Sequence, residues 1–454
     1  MNIRNSLFKN GVASLINKGI KIAEQLLLVP FFISAWGAPF YGEWLTLTII
    51  PSIIGFSDLG FGTAAANFFI LKFAANQKQD AANISKSGFI SIHIIIISTL
   101  ILSFLFILAL NFYGIFDKSL IPKKEAILAV SFLMLSRVLG FYQPLNDAYF
   151  KAARKASLAM NLNGFNLGLN LVVGLVVLIF KGGIVLFAFS NLIINVIFTI
   201  FYSVNSRRIL TLHNEYEGIV LKSDIIAIFE KGFGFLLSPV WQAIYFQGTT
   251  FIVRIFLGPV AVTIFNTVRT LTRAVNQANA IVISAVSPDL QFEMGVGNFE
   301  RARKIFRFSL FIITIITISG SVFLFLRGSW FYEIWTNKSL NPPLLMWNVF
   351  IVGIIFNAYW WMSSEVFNVL NQPYKFTIVA LIASVISIVL TYFSTVSFGL
   401  LGAAIGNLFL DIFLLFYLFP RSCILIKQPL NSLLSNVYFD CKEMFNKTIQ
   451  LKKI

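Results

Sequence analysis

Histidine and cysteine are almost missing from this chain of 454 residues: His93, His213, Cys423 and Cys441 are all it has. Without more of them no HExxH helix and no zinc-ligand cluster can be assembled, so a metal-dependent hydrolase is not expected. The two cysteines form no CxxC pair and give poor support to a disulfide framework or a metal site. Charge is scarce as well, at 12% of residues, where an ordinary soluble domain carries about a quarter. No segment between the apolar runs is long enough for a catalytic loop, so a membrane glycosyltransferase or ligase is not expected, nor any catalytic residue or cofactor. GFSDLGFGTAAANFF (55–69) contains G-x-x-x-x-G, but Phe61 and Gly62 stand where a phosphate loop needs Lys and Ser/Thr. Close helix packing or a bend is the simpler account of its glycines.

What the chain does have is apolar length. Hydrophobic residues make up 57% of it, fifty of them phenylalanine, and the mean hydropathy is +0.82. Runs such as 88–112 and 308–326 exceed the roughly 18 residues that mark a helix able to cross a hydrocarbon layer of about 30 Å. About twelve spans are expected, at 11–35, 42–70, 88–112, 125–149, 157–180, 184–205, 225–252, 260–286, 306–326, 343–370, 376–395 and 400–420. The fold class is therefore an all-α polytopic membrane protein. Arg4 and Lys9 open the chain as a signal peptide would, but Lys18, Lys21 and Glu24 interrupt the apolar stretch after them and no small-residue cleavage site ends it. A retained first helix is expected.

The net charge of +16 lies in short clusters between spans, a pattern that suits a membrane surface and not nucleic acid. With the N-terminus in the cytoplasm, inner segments collect Lys151, Arg154 and Lys155, Arg207 and Arg208, and Arg301, Arg303, Lys304 and Arg307, among others. The outer loops hold Lys118, Lys123, Lys124, Lys181, Arg254, Arg327 and Lys338. Positive charge collects inside, so both termini are expected in the cytoplasm. The loop at 206–224 leaves about six spans on either side, giving lobes at 1–205 and 225–420, a linker at 206–224 and a cytoplasmic tail at 421–454. AWGAPFYGEW (35–44) and FLGPVAVTIF (256–265) both place Gly-Pro material just before a span, weak internal similarity of the kind that parallel repeats leave.

Polar residues inside spans are costly and mark function or a specific partner. In the first span Lys18, Lys21, Glu24 and Gln25 keep one helical face. In the eighth, Asn266, Arg269, Arg273 and Gln277 step by three, four and four, with Thr270 beside them. Snorkelling toward the interface is the plain alternative for Lys18 and Lys21, and an interhelix salt bridge for the arginines, with Asp58, Asp147, Glu365 and Asp411 as the main intramembrane carboxylates. Glu230 and Lys231 stand side by side and could pair or frame an entrance. Arg137 and Asp147 share the fourth span as a structural or functional pair, with Pro144 placed to kink it. Asp411 could bind a coupling ion or join an interhelix contact, and His93 reads as packed or hydrogen-bonded.

With those residues in place, the chain resembles the polysaccharide flippases of the multidrug/oligosaccharidyl-lipid/polysaccharide (MOP) exporter superfamily, specifically the Wzx-type O-antigen flippases. YGEW (41–44) with SDLGFG (57–62), and LGPVAVTIFNTVRTL (257–271) with SPDLQFEMGVGNFERARKIF (287–306), carry the resemblance, which spans nearly the whole chain. It implies two six-helix lobes, MATE-like, around a V-shaped cavity that opens alternately to either side. It further implies passage of an undecaprenyl-diphosphate-linked oligosaccharide, an O-antigen or capsule repeat unit of lipopolysaccharide and polysaccharide biosynthesis, to the periplasmic leaflet of a bacterial inner membrane. Lys18, Lys21, Arg269 and Arg273, with Asn266 and Gln277, would line that cavity against pyrophosphate and sugar. Membrane lipid and polysaccharide polymerases are the implied partners, with no nucleic acid. The multidrug branch relies on an embedded aspartate in its first lobe, where this chain offers Glu24. The competing reading is a cation-coupled small-molecule or drug exporter, in which Glu24, Asp58 or Asp411 would couple ions or form salt bridges. A lipid II flippase would need about two further C-terminal spans.

Overall fold

A computed structural model describes residues 3–440 apart from 59, 296, 371, 434 and 438; the side chains of 3–11, 14, 56, 57, 213, 231, 233–236, 288, 292, 295 and 373 lie outside the description. Arg4, Lys9, His213, Lys231, Cys441 and the basic residues beyond it therefore carry no side-chain account. Among the described residues the regular structure is helical throughout, with no strand. Nine stretches of the described residues are long and apolar enough to cross a membrane. Three of them are broken by a glycine in the left-handed region: Gly37 (φ 77°), Gly258 (φ 84°) and Gly399 (φ 59°). Side chains with a Cβ avoid that region, so each glycine ends one rod and starts another. Divided there, the nine stretches become twelve segments, the number expected from hydropathy, although the second expected span, 42–70, is itself divided between Ile54 and Phe61.

Packing groups the chain into two compact units, Met1–Thr263 and Ile264–Ile454. The first holds α1 (Ile3–Leu47), α2 (Ile49–Ile54), α3 (Phe61–Ala74), α4 (Lys78–Phe112), α5 (Lys123–Leu139), α6 (Gln143–Ala152), α7 (Ala156–Ile179), α8 (Ile184–Leu210), α9 (Leu212–Glu215) and α10 (Lys222–Ala243). A π turn at Ile244–Gly248 leads into α11 (Thr249–Gly295), whose first turns stay in this unit. Here α1 packs on α7, α5 on α8, and α3 on both α4 and α6; α10, the start of the seventh expected span, lies on α3 and α4. The linker stretch runs along α4: Gln79 Nε2 donates to the Glu217 carbonyl at 2.8 Å, and the N–H groups of Ile219 and Leu221 donate to Asn83 Oδ1 (2.9 Å) and Ser87 Oγ (3.1 Å).

The two Gly-Pro junctions meet inside this unit. Thr263 Oγ1 donates to the Ala38 carbonyl at 2.6 Å, and a Cβ at Gly42 would fall on the Pro259 carbonyl. Beside them Arg254 pairs with Glu43, whose exposure is 2%; Arg254 also reaches the Lys118 carbonyl, and the Leu120 N–H points at the same carboxylate from 3.4 Å. Tyr41 and Trp44 complete the buried YGEW stretch, stacked among Phe32, Trp36 and Phe187. SDLGFG breaks the second rod: Gly60 is left-handed (φ 73°), and Asp58 Oδ1 accepts from the Gly62 N–H at 3.2 Å at the start of α3. The fourth span is broken as well, at Gly140–Tyr142, with Pro144 in the first turn of the next helix, where a missing N–H costs nothing.

The second unit holds the remainder of α11 with α12 (Phe299–Trp335), α13 (Leu344–Val369) and α14 (Pro373–Leu425). The halves of α14 fold back on each other at Gly399, along a seam in which Ser387 Oγ donates to the Gly406 carbonyl and Ser394 Oγ to the Gly402 carbonyl, both at 2.7 Å. Small residues allow that backbone approach. At the start of α12 the buried guanidinium of Arg307 donates to Asp440 Oδ2 (2.6 Å) and Gln428 Oε1 (2.7 Å), docking the described part of the tail.

Candidate functional site

In the first unit the polar stripe of α1 is present as its spacing requires. Lys18 and Glu24 are half-buried and Lys21 is exposed. Asn17 Nδ2 donates to the Met160 carbonyl at 2.8 Å, and its side chain fills the space left by Gly164, so this turn of α1 is held directly on α7. The charges that act on Glu24 are those of Lys21 and Arg137. Arg137 thus answers a carboxylate on another helix and not Asp147 of its own span. Asp147 accepts instead from the Tyr202 hydroxyl and from Asn163 Nδ2 at 3.3 Å.

Sequence reasoning missed a third group. Ser136 of α5, Asn166 and Asn170 of α7 and Asn191 and Asn195 of α8 are joined by hydrogen bonds of 2.8–3.3 Å. The signal was available in NLNGFNLGLN, where Asn163, Asn166 and Asn170 step by three and four, and in Asn191 and Asn195, four apart. Neutral amides do not stand out in a search for charge.

In the second unit α11 carries its two faces in the expected phase. Phe265, Val268, Leu271 and Thr272 are buried, and Thr267 and Asn279 bond to Tyr332 (2.7 Å) and Thr317 (2.9 Å) of α12. Along the other face Arg269, Thr270 and Gln277 are half-buried and Arg273 is exposed; Asn266, at 9%, is the deepest member. Arg269 donates to Asn266 Oδ1 and lies 5.4 Å from the Phe265 ring centre. Asp411 is 5% exposed and accepts two hydrogen bonds of 2.8 Å on one oxygen, from Asn357 Nδ2 and Trp360 Nε1 of α13, with Arg273 near enough for its charge to act on it. Glu365 accepts from Ser287 and from Asn368 (3.0 Å), Glu230 is exposed, and His93 bonds its own helix at the Phe89 carbonyl (2.6 Å).

Outside the spans, Asp224 in the first turn of α10 has its carboxyl pushed above the ordinary range, chiefly by burial and further by the charge of Asp80, with Lys72 opposing. Lys72 itself pairs with Asp80 at 3.1 Å.

No family model matches this chain, and no curated protein matches it. Solved structures do. An inward-facing multidrug-resistance MATE transporter of the MOP superfamily superposes with a TM-score of 0.74 at 16% identity, over 91% of this chain and 98% of that one. An outward-facing MATE transporter of the same superfamily gives 0.60 at 16% identity, over 93% and 95%. A MOP superfamily transporter from Pyrococcus furiosus Vc1, for which a reversed polarity of the binding pocket suggests a different function, gives 0.62 at 15%, over 94% and 96%. The chain therefore has the MATE fold.

Proposed function

We propose that this protein is a flippase for a lipid-diphosphate-linked oligosaccharide, carrying an O-antigen or capsule repeat unit across a bacterial inner membrane by alternating access, with both termini in the cytoplasm. What supports the reading is the polar face of α11. It carries Arg269, half-buried, and Arg273, exposed, among Asn266, Thr270 and Gln277, with the charge of Arg273 acting on Asp411. Two arginines inside a span are costly, and an anion that enters offsets the cost. A guanidinium stays charged in a low dielectric and offers a fork that fits phosphate oxygens. In the first unit Lys18, Lys21 and Arg137 outnumber Glu24 around the stripe of α1. The lipid tail would remain in the bilayer while the head group crosses, as one conformation gives way to the other. Polysaccharide polymerases are the partners this cargo implies.

Glu24 and Asp411 favour a second reading, a cation-coupled small-molecule exporter, since each is a carboxylate at membrane depth. Replacing Arg269 and Arg273 together by Ala separates the two. In a strain lacking its own flippase and given the matching glycan pathway, the variant should reach wild-type protein levels and lose surface polysaccharide at least tenfold. Normal polysaccharide at normal protein levels would sink the flippase reading. Drug resistance conferred by the wild type, without any effect on polysaccharide, would install the exporter.

A further inference from the structure

The cationic reading makes no use of the amide group in the first unit. Its hydrogen bonds cross three helices: Ser136 Oγ donates to Asn191 Oδ1 (2.8 Å), Asn195 Nδ2 to Ser136 Oγ (2.8 Å) and Asn191 Oδ1 (3.1 Å), Asn191 Nδ2 to Asn170 Oδ1 (2.8 Å), and Asn166 Nδ2 to Asn195 Oδ1 (3.1 Å). Polar side chains often join membrane helices in this way, and that role accounts for the bonds the amides make to one another. It does not account for what is left over. Each amide carries two N–H donors, and the second donor of Asn166 and of Asn191 has no acceptor among the described residues. Asn163, one turn before Asn166 on α7, spends an N–H on Asp147 at 3.3 Å while its own buried Oδ1 accepts nothing. All five asparagines are half-buried, so none is sealed in the core.

Unspent donors and an unspent acceptor, side by side and uncharged, match the hydroxyls of a sugar, each of which both donates and accepts. The place suits the rest of such a cargo. Asn17 holds the turn of α1 that carries Lys18 against Gly164, the residue after Asn163, and Arg137 follows Ser136 on α5. Amides add no charge of their own against a diphosphate, and the carboxylate beside them, Asp147, is held by the Tyr202 hydroxyl and Asn163 Nδ2.

We propose that Asn163, Asn166, Asn170, Asn191 and Asn195, with Ser136, form a sugar subsite that reads the hydroxyls of the residue nearest the diphosphate. It rests on the flippase reading and adds where, and by which groups, the glycan is recognised.

The test uses the purified full-length protein in detergent and two kinds of probe: a short-chain polyprenyl diphosphate, and the same lipid diphosphate bearing one sugar, taken in turn as a hexose and an N-acetylhexosamine. Affinity is read from the probe-dependent rise in melting temperature. The wild type should bind at least one sugar-bearing probe about tenfold more tightly than the bare diphosphate, the gain that about one net hydrogen bond supplies. Asn166→Ala with Asn191→Ala should abolish that increment and leave bare-diphosphate binding as it was. Asn163→Ala, which removes the hydrogen bond to Asp147, should lose part of it and carries the test if the double variant does not fold. An undiminished increment in the folded variants overturns the subsite alone. So does parallel weakening of both probes, which a purely structural role would produce. If neither probe binds the wild type, the flippase reading falls, and the subsite with it.

Discussion

Removing Arg254 would leave Glu43, 2% exposed, with one backbone N–H at 3.4 Å and no countercharge among the described residues. Breaking a buried pair from one side costs about 3–5 kcal/mol, because a desolvated charge remains behind. Arg254→Ala should therefore lower the melting temperature of the purified protein by several degrees. Glu43→Gln with Arg254→Met, which removes both charges, should recover most of that loss; an unchanged melting temperature in Arg254→Ala would refute the account. Asp224 runs the other way. Its folded pKa is raised, so its ionised form is disfavoured in the folded protein, and the stability tied to its protonated form is lost as pH rises through the raised value. Asp224→Asn should raise the melting temperature at pH 7.5 by more than at pH 4.5, and a gain that grows on acidification would contradict the sign.

The helices show the same dependence on single positions. Gly42 and Gly402 are small because another backbone occupies the space of a Cβ, that of Pro259 in one case and of Ser394 in the other. Gly42→Ala should force apart the two Gly-Pro junctions and loosen the Thr263 bond to the Ala38 carbonyl. Overpacking of this kind costs about 1–3 kcal/mol. Gly140→Ala, where a Cβ would meet nothing within 4 Å, should be tolerated. Equal loss in both variants, measured by thermal unfolding, would show that the close approach is not the cause. Much at this scale was readable in advance, since a run of apolar residues makes a span wherever it lies and a three-four spacing puts side chains on one face of any helix. The stripe of α11 was found that way, and the span boundaries near Gly37 and Gly258 came from the apolar runs on either side. The roles of YGEW and SDLGFG were not, because packing a tyrosine and pairing Glu43 depend on which segment arrives from elsewhere.

For the molecule as a whole, the sequence by itself determined that the chain is an all-helical membrane protein of about twelve spans, and in which phase its polar residues stand. Hydropathy and helical period are local properties, summed over one or two turns, and survive whatever the rest of the chain does. Two compact units, and the membership of α10 and the first turns of α11 in the earlier one, came from packing. So did the partners of charged groups that lie far apart in the chain. Glu24 and Arg137 lie in electrostatic reach of each other, Arg254 pairs with Glu43 across 211 positions, and Asp411 is bonded from α13 with Arg273 in electrostatic reach. The amide group was dispersed over three helices and became one object through their contact. Coulombic attraction and hydrogen bonding act over a few ångströms of space and not along the chain, so only the tertiary structure could decide who meets whom.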